Sequence, residues 1–390
     1  MKTIIYIRDK VNKRSGGPAG YLYNLFDGVK KNNIKNIKLF EDYNSGTYIN
    51  KQNKVKKSLV NIIKHKLPII YENKLINQEK NSEEVHIDED CNFIHFHNVK
   101  DIVRYKKGNK KNIKLILTSH SPEAPSQEQV NSLRASLKTN YKFVKLKKFL
   151  YRNYDIKAFE LADYIIFPSE ESMDPYKETI NGFEKLIKNK NLEFMMSGVE
   201  KLQFKLDREA FRNKYNIPDD AFLISYIGRH NKVKGFDILK IIIKKLWEKG
   251  MNVYVVTGGI GDIEPLKNEK WIDIGWTDDP GSIVNSSDLF ILPNRRTYFD
   301  LVLLEVLSIG VPVIASNTGG NKTVSKYTDG ISLFDLDNID LVVKEIEGLG
   351  SNKEKLNMMK MANLECYYKN FTTEKFAERY NNLLKKLYRD

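Results

Sequence analysis

Two cysteines, Cys91 and Cys366, are all that 390 residues contain. So sparse a pair supplies neither a disulfide framework nor a cysteine-built metal centre. No apolar run approaches the roughly 18 uninterrupted residues of a spanning helix, which excludes an integral helical membrane protein. The opening Met1-Lys2-Thr3-Ile4-Ile5-Tyr6-Ile7-Arg8 reaches an arginine after four apolar residues. That is too short for the core of a secretory leader, so the expectation is a cytoplasmic protein. No repeat with a period of about 20–50 residues is evident, which argues against a solenoid.

What the chain has in excess is positive charge. Lys and Arg number 64 against 50 acidic residues, a net +14. Residues 1–200 carry 36 basic and 24 acidic side chains, while residues 201–390 carry 28 and 26. Residues 101–150 alone hold 12 basic and 3 acidic residues. A solvated lysine-rich surface accounts for this as well as an anionic partner does, and the asymmetry places such a partner on the N-terminal side.

Short apolar strands alternate with longer helical stretches, a pattern of parallel sheets covered on both faces. In the first half the strands are Thr3–Ile7, Ile37–Phe40, Phe93–Phe96, Leu115–Thr118 and Tyr164–Pro168. The pattern restarts at Phe222–Ile227, after a charge-dense connector over Lys201–Arg212, and continues through Val253–Thr257, Leu289–Pro293 and Val311–Ala315. Helices are expected over Gly235–Lys249 and Leu301–Ile309 and near 338–348, 353–368 and 372–388. The reading is two doubly wound domains, residues 1–204 and 205–371, with residues 372–390 returning to the first. Ligands would bind between the domains, where the strand C-termini lie.

Two stretches carry the chemistry. In Ile227-Gly228-Arg229-His230-Asn231-Lys232-Val233-Lys234-Gly235 a strand ends at a glycine, which lets the backbone approach a ligand closely. Arg229 as a fork and Lys234 as a point charge could clamp two phosphates there. A strand-to-helix turn with solvated basic residues is the plainer alternative. In the second stretch, Leu289–Pro293 runs through Asn294-Arg295-Arg296-Thr297-Tyr298-Phe299 into a helix near Asp300. The free N–H groups at the start of that helix favour an anion. Glu305 follows among Leu303, Leu304, Val306 and Leu307, either a costly core acid or a ligand contact.

In order and about 60 residues apart, these stretches resemble the donor-binding domain of retaining glycosyltransferases of family 4, which have the GT-B fold. The matching elements are strand-Gly-Arg, Lys-Gly, the second Glu of Glu-x7-Glu, and Gly-x-Pro-Val, spanning roughly residues 222–335. The resemblance implies two Rossmann-like domains facing across a cleft, with the C-terminal helix crossing back. It implies that Arg229 and Lys234 bind the donor diphosphate, that Glu305 holds the donor ribose, and that backbone groups of Gly228 and Phe299–Leu301 meet phosphates and sugar. Gly16 and Gly17 are similar to the family's glycine loop, Gly319-Gly320 to its later glycine turn, and His120 to its active-site histidine. No cofactor and no metal are implied; the donor is a nucleotide-diphosphate sugar and the acceptor a glycan or lipid-linked saccharide.

Two positions depart from the pattern. Thr297 stands where the family has its first glutamate, and Asp300 where it has a glycine. The expectation is that Asp300 reads sugar hydroxyls in place of the missing glutamate. His95 and His97 share a strand face without an acidic or cysteine ligand nearby, a weak metal pattern. Asp335-Leu336-Asp337 and Asp88-Glu89-Asp90 read as surface. The basic stretches Lys51–Lys66 and Lys138–Arg152 suit either a lysine-edged core helix or one lying on the inner face of an anionic membrane. The rival readings are a non-catalytic glycosyltransferase-like subunit, an epimerase of the same fold, and a nucleic-acid binder, which no recognised motif supports.

Overall fold

The computed structural model describes residues 1–8, 10–12, 17–42, 84–87, 89–105, 113–120, 124–127, 130, 152 and 154–389. Gly16, Lys51–Lys66, Asp88 and all but Arg152 of the second basic stretch lie outside them.

The first sheet contains β1 (Thr3–Ile7), β2 (Ile37–Glu41), β3 (Phe93–Phe96), β4 (Lys114–Leu117), β5 (Tyr164–Phe167) and β6 (Asn191–Phe194). The second contains β7 (Phe222–Ile227), β8 (Val253–Gly258), β9 (Trp271–Gly275), β10 (Leu289–Leu292), β11 (Val313–Ser316) and β12 (Ile331–Phe334). Every pairing is parallel. The orders are β2-β1-β3-β4-β5-β6 and β12-β11-β10-β7-β8-β9. Interior strands β1, β3, β5, β10 and β11 are buried along their whole length, as two helix-covered faces require.

Both orders are doubly wound, and each reverses direction once: between β1 and β3, and between β7 and β10. Loops leaving those neighbouring strands go to opposite faces and open a crevice at the strand C-termini. The two crevices face one another. The Ser172 hydroxyl donates to the Tyr298 carbonyl at 2.8 Å, Thr323 Oγ1 donates to Ser169 Oγ at 2.7 Å, and Arg296 pairs with Glu178 at 3.3 Å. Phe167 and Tyr176 share one apolar cluster with Tyr298 and Phe299.

The chain ends by crossing back. The helix Lys353–Cys366 runs through a π-helical turn, Tyr367–Phe371, into the helix Thr373–Arg389. In that last helix Phe376, Ala377, Tyr380, Leu384 and Leu387 recur at three- to four-residue spacing and bury one stripe against Ile5, Leu22 and Leu25. Thr373 Oγ1 donates to Asp27 of the helix Gly17–Lys31 at 2.6 Å, fixing the crossing.

Three strands escape the sequence pattern: β6, β9 and β12. Each is the outer strand of its sheet and is only partly buried, so it lacks the continuous apolar run. The connector expected over Lys201–Arg212 is corrected too, because a helix, Arg208–Lys214, begins inside it. Asp207 caps that helix by accepting from the Ala210 N–H at 2.8 Å. At seven residues it is too short to show an apolar period.

Candidate active site

The second crevice is built from the loops after β7 and β10. Tyr226, buried at the end of β7, donates to the Arg229 carbonyl at 2.9 Å and lies 3.4 Å from the Lys234 carbonyl, pinning both ends of the loop between them. Gly235 follows with φ of +67°, and a Cβ there would sit 1.7 Å from the Pro293 carbonyl oxygen. Only glycine lets this loop lie against the one after β10. Gly319 repeats the device from the other side: at φ +44°, its Cβ would meet the Thr297 carbonyl oxygen at 1.9 Å. The loop after β10 is thereby pressed by backbone at both Pro293 and Thr297.

Lys234 and Asp300 meet in that crevice, Nζ to Oδ2 at 2.5 Å, and Asn294 Nδ2 donates to the same oxygen at 2.8 Å. The Asp300 side chain is 10% exposed and that of Lys234 30%. Burial opposes the Asp300 charge, yet the Lys234 ammonium and the hydrogen bonds from Lys234 and Asn294 outweigh it and hold the carboxyl below its usual range. Asp300 stands at the N-terminus of the helix Leu301–Ile309, where backbone N–H groups point outward. Arg229 differs from Lys234: it is exposed, and its guanidinium makes no hydrogen bond or ion pair to another described residue. Glu305 lies half-buried in the following turn, while Thr297 and Phe299 are buried.

Across the gap the first domain brings His120, at the end of the segment leaving β4. Its ring lies 6.3 Å from the Tyr298 ring and packs edge-on at 4.6 Å to Tyr21. Tyr21 belongs to the helix that Gly17 opens. Lys234 thus meets Asp300, and Tyr298, between Thr297 and Phe299, meets His120 from the first domain, with Gly228 and Arg229 at the tip of β7. Asn294, Tyr21 and Tyr298 were not singled out from sequence. Asn294 carried a signal, since it is the first residue past the Leu289–Pro293 strand, but a lone Asn there is also ordinary turn chemistry. Asp335 and Asp337 are exposed, as expected.

His95 has both ring nitrogens occupied, Nδ1 with Tyr380 OH and Nε2 with Thr118 Oγ1, each at 2.8 Å. It has no lone pair left for a metal. Among the described residues, no group of three or more His, Cys, Asp or Glu is arranged to hold one. Burial drives His95 and His120 down to about 3 and His97 well below its usual range, so all three are neutral. His120 still retains some solvent exposure.

A His whose folded value lies below its unfolded one contributes stability above about pH 6.5 that is lost as the pH falls toward the folded value. Asp101 and Asp155, raised by burial to about 6, act in the opposite sense. They are common to wild type and His95→Gln, and therefore cancel in a comparison. The wild type's advantage over His95→Gln is expected to shrink by about 1.4 kcal/mol per pH unit below pH 6.5. Urea unfolding at pH 8 and pH 5.5 measures this; a constant gap would mean that His95 is not held neutral.

Residues 207–365 match the family model described as glycosyl transferases group 1. The O-antigen biosynthesis glycosyltransferase WclY of Escherichia coli is 29% identical over 189 residues, covering 46% of this chain and 51% of WclY. The chain spans about half the length of the curated relatives it matches. Among solved structures, sucrose-phosphate synthase from Thermosynechococcus elongatus superposes with a TM-score of 0.66 over 100% of both chains at 16% identity. The Anabaena HepE protein in complex with UDP-glucose gives 0.62 over 99% of this chain and 100% of its own, also at 16% identity. At such identities the likeness is one of fold, and both structures share the two-sheet architecture found here. The chain has the GT-B fold, and its residues 207–365 are similar to the glycosyl transferases of group 1.

Proposed function

We propose that this chain transfers a sugar from a nucleotide-diphosphate sugar to a hydroxyl of a glycan or lipid-linked saccharide, with retention at the anomeric carbon. The observation that carries the reading is Arg229: a guanidinium unpaired among the described residues, at the tip of β7, at the point where the strand order reverses, beside Lys234 and a helix N-terminus. Charge builds on a leaving diphosphate in the transition state, and these groups oppose it without a metal. Glu305 would hold the ribose. His120 would approach the sugar from the other domain, and apposition of the two crevices would exclude water from the reacting atoms. The relatives support the reading: WclY acts in O-antigen biosynthesis, and HepE was solved with UDP-glucose.

Asp300 takes a more specific part than reading sugar hydroxyls alone. With Lys234 on one oxygen, it holds the ammonium in the crevice, and a diphosphate must share or displace that contact. The same pair favours a second reading, a subunit that binds without turnover, because it occupies one of the two cations. The test is nucleoside-diphosphate release from a panel of nucleotide sugars, with a lipid-linked saccharide acceptor and with or without EDTA. Acceptor-dependent, EDTA-insensitive release, with an axial product linkage by NMR from an axial donor, is expected. Donor binding without release would favour the binding subunit, and free sugar products without an acceptor an epimerase.

Among the described residues no helix is long and apolar enough to cross a membrane. We place the protein on the inner membrane face through its basic first half, where residues 101–150 carry 12 basic against 3 acidic residues. Co-sedimentation with anionic but not neutral vesicles is the check.

A further inference from the structure

Three histidines of the first domain, His95, His97 and His120, form a file that the transfer reaction does not itself explain. His97, which follows β3, is 3% exposed. Its Nδ1 lies 2.7 Å from His120 Nε2, and its own Nε2 is buried without a hydrogen-bond partner among the described residues. The ring is packed against His95 at 4.1 Å between centroids, and His95 is tied to Tyr380 of the C-terminal helix and to Thr118.

Two neutral imidazoles at that distance share one proton, and there are two ways to place it. With the proton on His120 Nε2, His97 must carry its own on Nε2, leaving a buried N–H with nothing to donate to. With the proton on His97 Nδ1, the orphaned His97 Nε2 is only a bare acceptor. Buried donors without partners are rarer in folded proteins than buried acceptors without them. The second arrangement leaves His120 Nε2 as the acceptor and puts the His120 proton on Nδ1. That nitrogen has no hydrogen-bond partner among the described residues, and His120 is the member of the file that keeps solvent exposure.

We infer that His97 is a positioning residue that fixes the tautomer of His120, so that His120 presents Nδ1–H to the cleft as a hydrogen-bond donor toward an oxygen of the bound sugar. The role toward sugar rests on the transferase reading; the tautomer does not. His95, clamped by Tyr380 and Thr118, keeps His97 from rotating out of line. The C-terminal helix is thereby coupled to the cleft.

Long-range proton–nitrogen correlation spectra of the full chain labelled with 15N-histidine test this directly. The six histidines are few enough to assign by single substitution. In the wild type His120 should show a pyrrole-like Nδ1 and a pyridine-like Nε2. In His97→Phe that pattern should reverse or mix, and in His97→Asn, whose amide can donate from nearly the Nδ1 position, it should be kept. For transfer, His97→Phe should lower kcat about tenfold with little change in KM for the donor, and His97→Asn should recover most of it. A wild-type His120 protonated on Nε2 overturns the proposal, whether or not the protein turns over. The predicted tautomer in a protein inactive with every donor would uphold the proton arrangement and count against the transferase reading instead.

Discussion

Lys234→Ala is expected to destabilise the ligand-free protein by about 2–3 kcal/mol, and Lys234→Ala/Asp300→Asn to regain most of that loss. Removing one partner of a fully buried ion pair costs about 3–5 kcal/mol, because the other charge is left buried without compensation. Here Asp300 is nearly enclosed, but the Lys234 side chain keeps 30% exposure, and water around it softens the loss. Asn294 remains to hydrogen-bond the side chain at 300 in either protein. Asparagine in place of the carboxylate removes the stranded charge while keeping a polar group of the same shape. Urea unfolding with an unchanged m-value measures the difference. A Lys234→Ala protein within about 0.5 kcal/mol of wild type would place the pair among ordinary surface contacts and remove Asp300 as the holder of Lys234. The double substitution separates two roles: it should restore stability without restoring donor binding.

Arg229→Ala should do the opposite, leaving the free protein's melting point where it is and weakening donor binding about ten- to a hundredfold. Exposed and unpaired among the described residues, the guanidinium supports no fold contact that its loss would break. A charge-assisted contact to a diphosphate is worth about 1.5–3 kcal/mol, which sets the range. Arg229→Lys should fall between, since a point charge replaces a planar fork that matches two phosphate oxygens. Calorimetric titration with the nucleoside diphosphate alone is sufficient, because the contact is to the phosphates. Equal affinity in wild type and Arg229→Ala would move the binding site away from the tip of β7.

The sequence shows the second crevice more fully than the first. A strand that ends in Gly228-Arg229 and another that ends in Pro293 are each legible from an apolar run broken by a glycine or a proline. The topology then brings them to the same reversal point, between β7 and β10. Three of the four outer strands were not legible, since Asn191–Phe194, Trp271–Gly275 and Ile331–Phe334 each expose part of one face. Nor was the Lys234–Asp300 contact, between residues 66 positions apart whose pairing depends on Gly235 and Gly319 pressing three loops together. His95 and His97 were visible as a pair, but not their use. Sequence shows two imidazoles on one strand face; only the fold places Tyr380, Thr118 and His120 around them.

The central claim is that the crevice between β7 and β10 receives the diphosphate of a sugar nucleotide. It is tested most directly by the melting point of wild type and Arg229→Ala with UDP-, GDP-, ADP- and dTDP-sugars, with and without EDTA. A ligand at about 100 times its dissociation constant adds some 2.7 kcal/mol to the folded state, a shift well within measurement. One nucleotide class should raise the wild-type midpoint, EDTA should leave the shift intact, and Arg229→Ala should lose most of it at the same concentration. No shift with any nucleotide sugar, or a shift that Arg229→Ala retains in full, would contradict the account.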